Sequence, residues 1–270
     1  MSAPTGRSAR FPWRDGRPPH LPCRRGDMPR TVLLPGDPDR VAIAAAVLDG
    51  SIDLGRRREF AMARGTWRGV GVGVCSTGIG GPSTEIAAVE LAGIGATCLV
   101  RVGGMGAVDP DLPLGSFVIV ARAFGGTGSA RVYGAPADGT PADPALVDAL
   151  ERAARDLGLP HRRAAIETTD SYYWGQERPA AIDADIPPAH RGRVARLSRD
   201  GVAGMDMETE TLFAVAAALG VRAAAVLAVH GQRARDTWLE DYEQTQRDLI
   251  RLAATAAADL ERLEPEETRR

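Results

Sequence analysis

The chain has 270 residues, 44% hydrophobic and 25% charged, with a formal net charge of −2; this suits one globular domain and excludes a nucleic-acid binder that works by neutralising phosphates. All 33 basic residues are arginine, which rules out a Gly-Lys-Ser/Thr phosphate loop and a lysine Schiff base. Cys23, Cys75 and Cys98 are too few and too scattered for a disulfide framework or a zinc site, so the expected compartment is the reducing cytoplasm.

Residues 1–18 are rich in Arg, Pro and Gly and hold no continuous apolar segment, which predicts a disordered extension rather than a signal peptide. No apolar run reaches the roughly 18 residues of a membrane span. Thr31 to Leu34 is a short apolar strand ended by Pro-Gly, and Val41 to Leu48 has helical composition with Asp39 as its cap. Gly69 to Cys75 reads as a strand; after the loop at 76–81, Pro82 falls in the first turn of a helix that Gly93 or Gly95 closes. Thr97 to Val102 and Ser116 to Ala121 are further apolar strands, and Asp143-Pro144 opens a helix to about Leu157. A helix over Glu208 to Leu219, a strand over Val221 to Val229 and an amphipathic helix from Glu240 to about Leu263 complete the pattern. Unbroken apolar strands alternating with helices predict a single α/β domain over 19–265 with a parallel or mixed sheet.

Ligands of such sheets sit where loops leave the carboxyl ends of strands. Four glycine-containing loops are expected there, at 35–40, 76–83, 103–106 and 230–236. Glycine lets backbone N–H groups approach an anion. Arg40 and Arg101 lie beside these loops, where a guanidinium fork matches phosphate. Gly78-Ile79-Gly80 echoes a dinucleotide fingerprint, but Ser83 takes the third glycine position, so that signal is weak. Met205-Asp206-Met207-Glu208-Thr209-Glu210 gathers acids at a helix start, which dipole compensation alone also produces. The segment from Thr168 to Arg178 is dense in aromatic and hydrogen-bonding groups, as a recognition loop would be. His20, His161, His190 and His230 have no metal-ligand spacing and read singly as structural or exposed.

Taken together, Pro35 to Arg40, Cys75 to Ser83, Arg101-Val102-Gly103 and Met207-Glu208 resemble the hexameric nucleoside phosphorylases. Asp170 through Arg178, ending Gly175-Gln176-Glu177-Arg178, resembles the uridine-cleaving branch of that family. The resemblance runs from about residue 20 to 260. It implies a nucleoside phosphorylase fold with a partly barrel-like mixed sheet flanked by helices. It also implies phosphorolysis of a uridine-like nucleoside, with inorganic phosphate as co-substrate and no cofactor. On this resemblance Gly36, Arg40 and Arg101, with the wall at Gly104, would bind phosphate, joined by Arg58 from a neighbouring subunit. Met207 and Glu208 would hold the ribose, and His20 would reach a neighbour's 5′-hydroxyl. Tyr172, Gln176 and Arg178 would take the base, with Arg233 behind them. Glu59, Ile79 and Ser83 match an intersubunit potassium site. The implied assembly is a homo-oligomer with a dimer as minimal unit, expected to be a hexamer, without nucleic-acid or membrane partners.

The chemistry is coherent without the resemblance. Glycosidic cleavage builds positive charge on the sugar and negative charge on the departing base, and preorganised donors such as Gln176 and Arg178 would stabilise a uracil anion. Purine-cleaving relatives place an acid late in the chain, whereas here Val229 to Arg233 holds none before Asp236, which favours a pyrimidine. Two departures stand out: Gly104 and Met105 occupy positions where uridine phosphorylases carry hydroxyl residues, and Asp206 replaces a glutamate. They suggest a substrate altered on the ribose, such as at its 5′ position. Other readings are a purine or modified-nucleoside phosphorylase, a hydrolytic nucleosidase on this fold, and a nucleoside-binding protein without turnover.

Overall fold

A computed structural model of the chain describes residues 8–181 and 184–263. Its strands are β1 (Thr31–Leu34), β2 (Asp49–Arg57), β3 (Phe60–Trp67), β4 (Val70–Cys75), β5 (Cys98–Ala107), β6 (Phe117–Phe124), β7 (Thr140–Pro141), β8 (His161–Thr168), β9 (Gly204–Asp206), β10 (Arg222–Gln232) and β11 (Thr237–Trp238). The α-helices are α1 (Asp39–Val47), α2 (Gly81–Ile94), α3 (Gly128–Val132), α4 (Pro144–Asp156), α5 (Arg193–Arg199), α6 (Thr209–Leu219) and α7 (Glu243–Leu263).

The strands form one mixed sheet in which β5, β10, β6, β8 and β9 close on themselves as a ring. The remainder, β1, β4, β3 and β2, extends outward from β5. This is the partly barrel-like mixed sheet that the resemblance implied. Central strands such as β1 and β5 are buried along almost their whole length, as strands covered on both faces must be. Helices α1 and α4 pack on α7, while α2 and α3 pack on α6. Among the described residues, no helix is long and apolar enough to cross a membrane.

Two local readings are corrected. Asp39 lies inside α1, whose N-cap is Pro38; the carboxylate that organises the turn is Asp37, which accepts from the Asp39 N–H at 2.9 Å. The glycines at 103–106 belong to β5 and residues 230–232 to β10, so neither stretch is wholly a loop. Glycines without side chains allow β5 to run on past Val102 between β10 and β9. Within the stretch expected to be a disordered extension, Trp13 sits where a Cβ on Gly93 of α2 would fall and Pro18 is buried, while the other residues of 8–18 are exposed. Residues 1–7 of that stretch, and 264–265 at the other end of the expected domain, lie outside the described residues.

Candidate active site

A cavity of about 870 Å³ opens where β1, β5, β9 and β10 end. Its position follows from the sheet: the loop after β1 is zipped to the loop after β4, with Thr77 N–H donating to Pro35 O and Gly78 N–H to Gly36 O, both at 2.9 Å. Gly36 is required by this approach, since a Cβ there would stand 3.3 Å from the Gly78 carbonyl. Gly36, Arg40, Arg101 and Gly104 line one end of the cavity together with His230.

Arg101, with a side chain 5% exposed, anchors that end. Its Nε donates to Asp206 at 2.9 Å, and its Nη2 is ion-paired with Glu208 at 2.5 Å. Burial pulls this guanidinium's pKa down, but Glu208 and Asp206 more than restore it and carry it above the ordinary arginine value. Among the described residues, Arg101 Nη1 and Arg40 Nε are buried without a hydrogen-bond partner. Buried donors left unpaired cost about 1–3 kcal/mol each, so their presence at the wall of a cavity marks a place for an acceptor-rich anion. Burial, with Arg101 nearby, lowers the Arg40 pKa, although Asp37 and Tyr242 oppose the shift.

The acids of the 205–210 segment do separate jobs. Asp206 holds Arg101, accepts from the Thr168 hydroxyl at 2.8 Å, and caps α6 by accepting from Thr209 N–H at 3.1 Å. Glu210 ties down the loop before α3 through the N–H groups of Gly126 at 2.9 Å and Thr127 at 2.8 Å. Glu208, beside Met207 in the cavity wall, also accepts from Gly80 N–H at 2.6 Å. Burial raises the Glu208 carboxyl above the ordinary value, while Arg101 opposes it. Gly80, read from sequence as part of a weak dinucleotide signature, therefore spends its N–H on this carboxylate.

At the other end stand Tyr172, Gln176 and Arg178. The Arg178 guanidinium lies 4.1 Å over the Tyr172 ring and donates to Gln176 Oε1. Arg233, outside the cavity lining, braces the turn from behind by donating to the carbonyls of Gln176 at 2.7 Å and Glu177 at 3.0 Å. Burial and the neighbouring Arg233 charge push Arg178 down to about 10. Glu177 anchors the segment to α5 by accepting from Gly192 N–H at 2.6 Å and Val194 N–H at 2.8 Å.

His20 and Arg58 do not line this chain's own cavity. His20 is clamped by buried Glu90, which accepts from His20 Nδ1 at 2.6 Å and from the His20 and Leu21 backbone N–H groups. Arg58 sits exposed at the β2–β3 turn with φ 55°, and Arg56, which the sequence did not single out, reaches the cavity instead while donating to the Arg58 carbonyl at 2.8 Å. Glu59 and Ser83 flank Gly78, their Cγ and Oγ lying 2.9 and 3.0 Å from where its Cβ would be, and Ile79 is 80% exposed. Ser83 donates to the Thr77 carbonyl. Among the described residues no cluster of three His, Cys, Asp or Glu could hold a metal.

His230 is the main residue that sequence reading missed. It is half-buried in the cavity wall rather than structural or exposed. Its ring occupies the space over Gly104, whose strand partner is Ala228, so the neighbourhood comes from the bulge at His230 and not from any local sequence signal.

Comparison with known proteins agrees with this architecture. A family model described as the phosphorylase superfamily matches residues 30–262. The chain is 38% identical over 219 residues to a uridine phosphorylase of Thermococcus kodakarensis, covering 81% of this chain and 79% of that one. It is 34% identical over 251 residues to a uridine phosphorylase of Escherichia coli, covering 89% and 97%. A guanosine phosphorylase of Halorubrum lacusprofundi is 30% identical over 213 residues, covering 79% and 83%. The chain belongs to the phosphorylase superfamily.

Proposed function

We propose that the protein is a pentosyltransferase that cleaves uridine or a uridine-like pyrimidine nucleoside by phosphorolysis. A phosphate oxygen bonds to C1′ of the sugar, the N-glycosidic bond breaks with its electron pair passing to the base, and a proton from phosphate or solvent completes free uracil. Ribose 1-phosphate is the other product. The observation that carries this reading is the pairing, in one cavity, of unspent buried arginine donors at one end with the Gln176–Arg178 donor pair at the other. The first suits phosphate; the second suits a departing anion with the carbonyl-rich edge of uracil. Glu208 between them offers carboxylate oxygens to the ribose hydroxyls, with Met207 against the sugar. The names of the relatives support the same substrate, and Asp236, which lies outside the cavity lining, supports a pyrimidine over a purine.

In this reading Gly36, Arg40, Arg101 and the wall at Gly104 bind phosphate, and Tyr172, Gln176 and Arg178 bind the base with Arg233 as support. His20 and Arg58 act across a subunit boundary, which fits their position off this chain's own cavity. The active unit is then at least a dimer, and the full assembly a hexamer. Glu59, Ile79 and Ser83 would hold potassium between subunits; an all-oxygen donor set beside Gly78 fits a large monovalent cation, which would serve to order the subunit boundary. One catalytic domain over 19–265 carries the activity, and three free, buried cysteines suit a cytoplasmic setting.

Uridine incubated with and without phosphate tests the reading. The expected result is uracil together with ribose 1-phosphate, in the phosphate-containing reaction alone. Phosphate-independent uracil release would indicate a hydrolytic nucleosidase, and binding without turnover a nucleoside sensor; either would overturn the proposal.

A further inference from the structure

Strand β10 carries one residue more than its parallel partner β5 at the cavity wall. Val229 pairs with Met105 and Gly231 with Gly106, so His230 is the extra residue of a β-bulge. A bulge interrupts the two-residue alternation of a strand and re-aims the side chain it carries. Here the re-aimed imidazole lies over Gly104: a Cβ at residue 104 would overlap the ring, with Nδ1 the nearest atom. Gly104 and His230 are therefore one steric unit, in which the histidine holds the volume that the glycine leaves.

The far edge of the ring is fixed. Buried Gln246 of α7 donates from its Nε2 to His230 Nε2 at 2.8 Å. In a neutral imidazole this leaves the single proton on Nδ1. The ring is neutral at physiological pH, because burial and the Arg40 charge push it down to about 4. Tyr242 packs against His230 at 5.5 Å between ring centroids, and the Arg40 guanidinium lies 5.7 Å over the same tyrosine. Among the described residues Nδ1 has no hydrogen-bond partner, and neither do Arg40 Nε and Arg101 Nη1.

We propose that His230 is a further phosphate ligand of this site, its Nδ1–H donating to an oxygen of the phosphate that Arg40 and Arg101 hold. The inference rests on the phosphorolytic reading given above. Phosphate is favoured over a sugar hydroxyl because a hydroxyl seeks an acceptor as well as a donor. Arg40, whose charge acts on the ring, and Arg101 in the same cavity wall hold unpaired donors, which suit an anion whose oxygens accept. A neutral donor adds direction to the guanidinium forks without adding a further positive charge. Its tautomer is set by Gln246, so no proton need be taken up or lost when phosphate arrives.

The test uses inorganic phosphate as the probe. In wild-type protein labelled with 15N-histidine, phosphate alone is expected to shift the Nδ1–H resonance of His230, while Nε2 keeps its unprotonated signature. His230→Ala is expected to weaken phosphate binding by roughly 10- to 100-fold, the range for a hydrogen bond to a charged group, with a much smaller change in KM for uridine at saturating phosphate. Gly104→Thr alone should also weaken phosphate binding, by driving the imidazole out. Combining it with His230→Ala should relieve that clash and recover part of the loss. An unmoved Nδ1 resonance at saturating phosphate would overturn the proposal even if His230→Ala fails to fold. So would a folded His230→Ala that binds phosphate as tightly as wild type. Should wild type itself bind no phosphate, the phosphorolytic reading falls as well, a result the wild-type titration separates from a failure confined to His230.

Discussion

The two ends of the cavity are built on opposite principles. At the phosphate end the donors are held open: Arg101 is locked by Asp206 and Glu208 yet keeps Nη1 unspent, and Arg40 keeps its Nε. At the base end the polar groups satisfy one another, with Arg178 bonded to Gln176 and lying over Tyr172, and Arg233 spent on backbone carbonyls. The first is a preorganised hole that favours a charge the moment one arrives. The second must exchange an internal hydrogen bond for one to the substrate, so its net gain is smaller but its fit more selective. The scaffolds differ to match: the phosphate end takes Arg101, Gly104 and His230 from β5 and β10 of the closed ring, with Gly36 and Arg40 following β1, whereas the base end is organised around the short 3₁₀ turn Trp174–Gln176.

Removing Asp206 is the severest test of this contrast. Asp206→Ala strips the buried Arg101 of one carboxylate, orphans the Thr168 hydroxyl and uncaps α6. Breaking a buried ion pair from one side costs about 3–5 kcal/mol. For a domain of this size that lowers Tm by roughly 10 °C. Differential scanning calorimetry checks it; an unchanged Tm would mean that Glu208 alone suffices to hold Arg101 and that the phosphate end is less tightly organised than its geometry implies.

Arg178→Ala should instead leave stability nearly intact, because Arg233 still braces the turn through backbone carbonyls. Its effect belongs to the reaction: kcat/KM for uridine should fall by roughly 10²- to 10³-fold, as when one donor to a developing anion is lost. Phosphate affinity, measured by calorimetric titration, should stay within about threefold, below the 1.4 kcal/mol that a tenfold change represents. Equal losses of both would show that the two ends are coupled rather than independent.

How much of this was legible in the sequence depended on where the signal lay. Elements with unbroken apolar runs or clear punctuation, such as Thr31–Leu34, the Asp143-Pro144 helix start and the Gly95 stop of α2, appear where they were expected. Asp143 caps α4 through the Leu146 N–H at 2.9 Å, as the Asp-Pro pair predicted. The hairpin of β2 and β3 was invisible because β2 is exposed along most of its length, with Arg and Gly where alternation would show. β9 has three residues and is fixed by neighbours distant in sequence, Ala107 and Thr168 among them. The arginines beside glycine loops were found because a guanidinium near a strand end is a local pattern. His230 was not, since its meaning lies in a bulge and in the space left by Gly104, neither of which the local sequence shows.

That histidine also supplies the mildest test of the comparison, through acid. Its folded pKa is about 4 against an ordinary 6.5, so above pH 6.5 neither the folded nor the unfolded chain protonates it and its full stabilising contribution is present. As pH falls from 6.5 toward 4 the unfolded chain takes up a proton that the folded chain refuses, and stability drains away across that window. The lost contribution is at most about 3 kcal/mol, at 1.36 kcal/mol per pKa unit. Carboxylates elsewhere titrate in the same range, so the measurement is a difference: urea unfolding of wild type and His230→Gln at pH 7, 5.5 and 4.5. The wild-type curve should lose ground to the variant as pH falls. Parallel curves would mean that His230 titrates freely, which is incompatible with a ring buried beside Arg40. The phosphate end would then have solvent access of the kind its unspent donors argue against, and the distinction between a held-open end and a self-satisfied one would have to be redrawn.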